Sequence, residues 1–168
     1  MSGDQHIHAY VGLGSNLGDR AAYLLLAVRG MMSAGLRVRR LSSLYETEPV
    51  EVTDQPAFLN MVAELDGSAL PSPEQLLARL LRIEYALGRR RSKRRGPRTI
   101  DLDLLFYGEE QRATAFLTLP HARLSERRFV LVPLCELNPH LHHPALGRTV
   151  GQLLTETADT AKVTKWKG

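Results

Sequence analysis

Two aspartates separated by one residue, Asp101 and Asp103, stand directly behind a run of cations. Of the ten residues Arg89–Arg98 (RRRSKRRGPR), seven are Lys or Arg and none is acidic. The apolar LLFY that follows the pair reads as β-strand. A period of two then puts both carboxylates on one face and Ile100, Leu102 and Leu104 on the other. Carboxylates held side by side repel unless a cation lies between them. Oxygen-only ligation suits Mg²⁺, which keeps several waters and is held through one or two carboxylates together with phosphates. Gly96 lets the backbone bend and Pro97 stiffens the approach to the strand. A cationic loop beside a carboxylate pair implies a site for a polyphosphate and Mg²⁺. Each half supplies the charge that explains the other.

Other candidate signals carry less. Gly12, Gly14 and Gly18 (GLGSNLG) suggest a dinucleotide loop, but the third glycine comes one residue too late and no acidic residue ends a second strand about 20 residues on. A tight strand-to-helix turn is the simpler reading, with Gly14–Asn16 available as a ligand wall. No Walker A pattern is present. Glu84 sits among Leu77, Leu80 and Leu81 at helical spacing, nearer the apolar stripe than a solvent-facing glutamate. A water-exposed flank position is the alternative. His140, His142 and His143 lie in one Pro-bounded loop without separated partners, which argues against a metal cluster. His121 follows Pro120 and, with Arg123 and Arg127, makes a second cationic group, though a lone histidine also serves structure.

The elements that must position these groups follow from length and pattern. At 168 residues the chain reads as one domain spanning 1–168, large enough for a substantial core. Its net charge of +4 is local: without Arg89–Arg98, 15 cations face 18 acidic residues. A localised field favours a compact anionic ligand over a nucleic-acid track, and 6% aromatic residues provide few stacking platforms. Cys135 is the single cysteine, so no intrachain disulfide forms, and its apolar neighbours suggest a buried, inert thiol. The polar N-terminus MSGDQHIH and the absence of long apolar runs point to a cytoplasmic protein without a membrane partner.

Ile7–Leu13 reads as a strand. Ala21–Ala34 reads as a helix with Leu24, Val28 and Met31 on one stripe, Leu25 and Met32 beside it, and Gly35 as its stop. Leu36–Tyr45 is a second strand and Glu48–Pro56 a loop. Phe58–Leu65 is a third strand, with Phe58, Asn60 and Val62 on one face. Ser72, Pro73 and Gln75 open a capped helix whose stripe is Leu76, Leu80, Ile83 and Leu87, ended by Gly88. After the Asp101–Asp103 strand come a turn at Gly108 and a strand near Thr114–Leu119. This order predicts an α+β fold with a ferredoxin-like βαββαβ core, an antiparallel sheet with helices on one side. From Ser125 the chain adds an apolar helix containing Pro133, a His/Pro loop and a capped turn at Thr149–Gln152. The tail Lys162–Gly168 is expected to be loosely held.

These residues, taken together, resemble the 6-hydroxymethyl-7,8-dihydropterin pyrophosphokinase family of folate biosynthesis. The resemblance runs from Tyr10 to about Leu154. It rests on GPRTIDLDLLFYG (Gly96–Gly108), which is highly specific, and on YVGLGSNLGDR, the YETEPV and DQPAFLN block, and LPHARLSERRFVLVPL in the family's order. It implies transfer of the β,γ-pyrophosphoryl group of ATP to the pterin's hydroxymethyl oxygen, with release of AMP. The family's metal-binding aspartates correspond to Asp101 and Asp103, which would hold two Mg²⁺ ions. Its phosphate-binding arginines map to Arg89, Arg91 and Arg98, with Arg89 and Arg91 flanking a loop that closes over the site. Glu84, the Leu104 backbone, Thr118, His121 and Arg127 match its nucleotide side. Asn60 matches the amide that reads the pterin edge, Phe58 and Phe129 the two stacking planes, and Thr47, Pro49 and Val50 the pocket wall. The expected partners are therefore ATP and the pterin, with no nucleic-acid partner, and the chain is read as a monomer.

Three departures stand out. Arg95 occupies a position where some members have tryptophan, in a basic loop one residue shorter. Ala122 replaces a tyrosine after Pro-His, and Phe58 replaces a tyrosine while keeping the stacking plane. No side chain stands out as a general base. Two rival readings use the same residues: a nucleic-acid module built on the basic patch, and a regulatory nucleotide-binding domain without turnover.

Overall fold

Alternating burial along the strands and a 3.6-residue rhythm along the helices organise the chain. The structure, a computed structural model, describes residues 6–48, 54–90 and 97–168. Strand β1 (His8–Ser15) leads into α1 (Arg20–Ser33), followed by β2 (Val38–Leu41), β3 (Tyr45–Thr47), β4 (Phe58–Asp66), α2 (Pro73–Ala86) and β5 (Asp101–Tyr107). Then come a hairpin of β6 (Arg112–Ala113) and β7 (Thr118–Leu119), helix α3 (Arg128–Leu137), and a hairpin of β8 (His142–His143) and β9 (Arg148–Thr149). Helix α4 (Val150–Glu156) and strand β10 (Val163–Lys165) complete the chain. The main sheet runs β10-β3-β4-β1-β5, with β2 also paired to β4, and every pairing is antiparallel. Taking β2 and β3 as one interrupted arm, this is the expected ferredoxin-like order.

Local chemistry sets the boundaries. Ser72 and Gln75 form the reciprocal capping box at the start of α2, with Pro73 in its first turn. Thr149 and Gln152 do the same for α4, so the expected capped turn extends to Glu156 as a short helix. The arm expected as one strand over Leu36–Tyr45 breaks at Ser42, whose hydroxyl accepts the Val62 N–H at 2.8 Å in place of a ladder carbonyl. The strand expected near Thr114–Leu119 shrinks to Thr118–Leu119, because the Thr114 hydroxyl takes the Phe116 and Leu117 N–H groups and makes a turn.

Helices cover both faces of the sheet rather than one. Leu24 and Met31 of α1 and Leu76, Leu80 and Ile83 of α2 pack with Val11, Leu13, Leu102 and Leu104 in one core. Leu25 and Met32, expected beside that stripe, lie a 100° step further round α1 and are 62% and 60% exposed. On the opposite face α3 and α4 pack Val130, Leu134 and Val150 over Tyr10, Val62 and Phe106. A bulge in the β1–β5 register, between Tyr10 and Val11, turns both Leu105 and Phe106 toward this second core.

The tail is not loose. β10 adds a strand beyond β3, Trp166 donates its backbone N–H to the Leu44 carbonyl at 2.8 Å, and its ring packs against the first core. His143 is buried, accepts the Ala145 and Leu146 N–H groups at Nδ1, and meets Phe106 edge-on. That is a structural role within its hairpin.

Candidate active site

The register across three strands explains why a cavity exists. Gly12 on β1 pairs with Asp103 on one side and Val62 on the other, and Gly14 pairs with Asp101 and Asn60. With no side chain in the middle strand, the sheet surface between the aspartates and Asn60 stays bare. Glycine inside a strand marks such a close approach. The crowding at Gly14 is severe: a Cβ there would lie 2.7 Å from Asn60 Oδ1. Above this floor is a cavity of about 130 Å³. Asp101, Asp103 and Arg98 bound it on one side, Thr47, Phe58 and Asn60 on the other, while Arg123 and Arg127 come from the segment leading into α3 and Phe129 from its first turn. Asn60 donates to Thr47 Oγ1 at 2.7 Å, which fixes the amide with its oxygen toward Gly14.

Asp101 is clamped by cations. Arg89 donates to it and to Glu84, and Arg98 Nη1 donates to Asp101 Oδ2 at 2.9 Å. Glu84 is buried rather than exposed, lines neither cavity, and accepts the Leu102 N–H at 3.1 Å. Burial raises its carboxyl pKa, opposed by Arg89. Burial also works against the Arg89 charge, but Asp101 and Glu84 outweigh it and hold the guanidinium more firmly protonated. Burial and then the Asp101 charge push Asp103 up from 3.8 to about 7, against the pull of Arg127. Among the described residues no group of three or more His, Cys, Asp or Glu gathers to cage a metal. The pair does fit an ion that brings its own phosphate and water oxygens, since an added cation there offsets the burial and the Asp101 charge that disfavour ionised Asp103.

A second cavity of about 250 Å³ opens on the other side of Asp103. Leu77, Leu102 and Leu104 form its apolar wall, and Thr118, His121, Ala122 and Phe116 also line it. His121 Nδ1 accepts the Arg123 N–H at 3.2 Å, so a neutral ring carries its proton on Nε2. Burial, helped by Arg127, lowers its pKa and favours that neutral ring.

The expected residues thus separate into two adjoining groups that share Asp103. Thr47, Phe58, Asn60, Phe129, Arg98, Asp101 and Arg127 line the first cavity, and Leu104, Thr118 and His121 the second. Pro49, Val50, Arg91 and Arg95 lie outside the described residues. Sequence reasoning missed the role of Gly12 and the place of Arg123 in the first cavity. It placed Asn16 in a possible ligand wall but missed its bridging role: the residue is 1% exposed and ties two segments together. The Asn16 amide donates to Gln55 Oε1 and the Pro56 carbonyl, while its oxygen accepts the Arg98 N–H at 2.9 Å. The alternate spacing of Gly12 and Gly14, matched to Asp101 and Asp103, was the available signal for the floor.

A family model described as 7,8-dihydro-6-hydroxymethylpterin-pyrophosphokinase (HPPK) matches residues 10–139. The 2-amino-4-hydroxy-6-hydroxymethyldihydropteridine pyrophosphokinase of Bacillus subtilis is 48% identical over 145 residues, covering 86% of this chain and 86% of that one. The folic acid synthesis protein fol1 of Pneumocystis carinii is 42% identical over 150 residues, 89% of this chain but 20% of that protein, so the chain spans about a fifth of that relative's length. The crystal structure of wild-type Plasmodium falciparum HPPK-DHPS matches with a TM-score of 0.68 at 14% identity, covering 93% of this chain and 45% of that one, a likeness of fold. With a family model covering most of its length and a relative of similar size at 48% identity, this chain belongs to the 7,8-dihydro-6-hydroxymethylpterin-pyrophosphokinase family.

Proposed function

We propose that the chain transfers the pyrophosphoryl group of ATP to the hydroxymethyl oxygen of 6-hydroxymethyl-7,8-dihydropterin. The acceptor oxygen bonds to the β-phosphorus as the bridge between the α- and β-phosphoryl groups breaks. AMP leaves, the hydroxymethyl proton is released and the pterin diphosphate remains. The observation that carries this reading is the meeting of two differently lined cavities at Asp103, beside Asp101. The first suits a flat, polar-edged ring between Phe58 and Phe129, with the Asn60 amide held by Thr47 for its edge. The second offers an apolar wall for the nucleobase and the Nε2–H of neutral His121 for an anionic oxygen.

Transfer of this kind needs positioning and charge neutralisation more than covalent help. Arg98, Arg123 and Arg127 line the acceptor cavity, and Arg89 reaches Asp101 from behind. A polyphosphate entering between them competes with Asp101 for Arg89 and Arg98. Asp101 and Asp103 would hold Mg²⁺, two ions in our reading, which would supply charge neutralisation and a template for the triphosphate. Displacement of the arginines from Asp101 frees that carboxylate for the cation. Both cores share one central sheet, which supports a single domain over 1–168. No described helix is long and apolar enough to cross a membrane. We read the protein as a cytoplasmic monomer acting on small molecules.

The test is the nucleotide product. Incubation with ATP, Mg²⁺ and the pterin should give pterin-dependent AMP and a pyrophosphorylated pterin. ADP would mean ordinary kinase chemistry, and ATP binding without turnover would leave a regulatory domain.

A further inference from the structure

A large aromatic ring left in water invites an explanation when it borders a cavity. Phe116 is 88% exposed, more than any other large apolar side chain among the described residues, and it lines the second cavity. Its position is set by an ordered turn. Thr114 Oγ1 accepts the N–H groups of Phe116 and Leu117 at 3.3 and 3.0 Å, and the Thr114 N–H returns to the Leu117 carbonyl at 3.0 Å. The flanking Leu117 and Leu119 are buried in the first core, and Arg112 at the hairpin's base is paired with Glu74 and Glu110. The backbone carrying the ring is fixed, while the ring itself touches little protein.

The rest of the lining defines what the ring faces. Leu77, Leu102 and Leu104 supply an aliphatic wall, and among the described residues Asp103 is the only acidic one in the lining, at the end shared with the first cavity. Ala122 contributes only a methyl group, which leaves Phe116 as the one phenyl face. A ligand matched to this cavity is flat and apolar on its faces and directs its polyphosphate, with the cation it brings, to the Asp103 end. A purine nucleoside triphosphate has that form.

We propose that Phe116 is the nucleobase platform of the second cavity, the residue that makes the site prefer a nucleoside triphosphate to a bare polyphosphate. The proposal rests on the pyrophosphokinase reading above and adds to it the residue that reads the base. The ring covers one face of the base, the leucine wall the other, and binding removes from water the apolar surface that the hairpin exposes.

The experiment compares wild type, Phe116→Ala and Phe116→Tyr by calorimetric titration with ATP and with inorganic tripolyphosphate in the presence of Mg²⁺, alongside steady-state kinetics. Phe116→Ala should raise the Kd and KM for ATP roughly 5- to 20-fold, the low end of the range for loss of a base-stacking ring at a solvent-facing edge. Tripolyphosphate affinity and the KM for the pterin should stay within about twofold, and Phe116→Tyr should restore ATP binding. Because the ring is exposed, Phe116→Ala should keep the wild-type melting temperature. Unchanged ATP affinity in Phe116→Ala, or an equal loss for ATP and tripolyphosphate, overturns the platform assignment alone. A wild-type protein that binds ATP but makes no AMP overturns the pyrophosphokinase reading while the platform test still reads. Failure of the wild type to bind ATP overturns both.

Discussion

At Gly14 the difference between a hydrogen and a methyl group decides whether Asn60 can keep its place. A Cβ there would lie 2.7 Å from Asn60 Oδ1, well inside contact distance. The amide cannot swing away freely, because its nitrogen donates to Thr47 at 2.7 Å. Gly14→Ala should therefore push Asn60 off the ring edge it is proposed to read. Overpacking of this kind costs about 1–3 kcal/mol, and the first loss should fall on acceptor binding. We expect the KM for the pterin to rise by roughly tenfold or more, with ATP affinity nearly unchanged. Steady-state kinetics in both substrates would check it, and a pterin KM equal to wild type would remove Asn60 from the recognition site. Asn16 makes a related point at longer reach. One buried amide holds both Pro56, two residues before Phe58, and Arg98, three before Asp101. Asn16→Ala leaves the Arg98 N–H without that acceptor, which costs about 1–3 kcal/mol if the group stays buried. Because the two segments border different walls of the acceptor cavity, the change should lower kcat and raise the pterin KM together. A variant with both constants unchanged would show that the bridge is dispensable.

At the scale of elements, what could be read in advance was whatever is decided locally. The capping box of α2, the alternation that puts Phe58 and Asn60 on one face, and the common face of Asp101 and Asp103 each depend on a few adjacent residues. What could not be read depends on distant partners. The Ser42 hydroxyl breaks a strand because Val62 happens to lie opposite it. α3 and α4 cover a second sheet face because Tyr10, Phe106 and Val62 present apolar surface there. Gly12 and Gly14 look like a turn until the register sets them between the aspartates and Asn60. The tail is the clearest case, since a polar segment containing one tryptophan has no local reason to be ordered. It is held by the open edge of β3 and by a place for Trp166 against the first core. Removal of residues 162–168 should therefore destabilise the fold and uncover an unpaired edge. Loss of the edge hydrogen bonds and the partly buried indole amounts to roughly 2–3 kcal/mol, or a fall in Tm of about 5–10 °C for a domain of this size. Thermal unfolding followed by circular dichroism would test this. A Tm within a degree of wild type would mean that the tail contributes no net stability.

Across the whole molecule, the site concentrates charge that the fold alone does not stabilise. Asp103 is the sharpest instance, because burial and the neighbouring Asp101 charge push its carboxyl from an ordinary 3.8 up to about 7. Below pH 4 both folded and unfolded chains keep this proton, and Asp103 costs the fold nothing. Between pH 4 and 7 the unfolded chain has released it while the folded chain holds it, so stability falls as pH rises through this window. Above pH 7 the folded carboxylate is ionised too, and the penalty is complete. The origin is burial beside Asp101, and a bound cation is what reverses it. Asp103→Asn removes the ionisation and should stabilise the metal-free protein at pH 8 by on the order of 1–2 kcal/mol, a gain that vanishes near pH 4. The same substitution should abolish AMP formation and remove the thermal stabilisation that Mg²⁺ with ATP confers on the wild type. Melting curves at pH 4.5 and 8, with and without Mg²⁺ and ATP, measure all of these effects. If Asp103→Asn melts like wild type at pH 8, the carboxylate is not under strain in the empty site. If it still gains stability from Mg²⁺ and ATP as wild type does, Asp103 is not a ligand. The opposite pattern, a more stable but inactive protein, is expected where stability has been given up to hold a cation and a polyphosphate together.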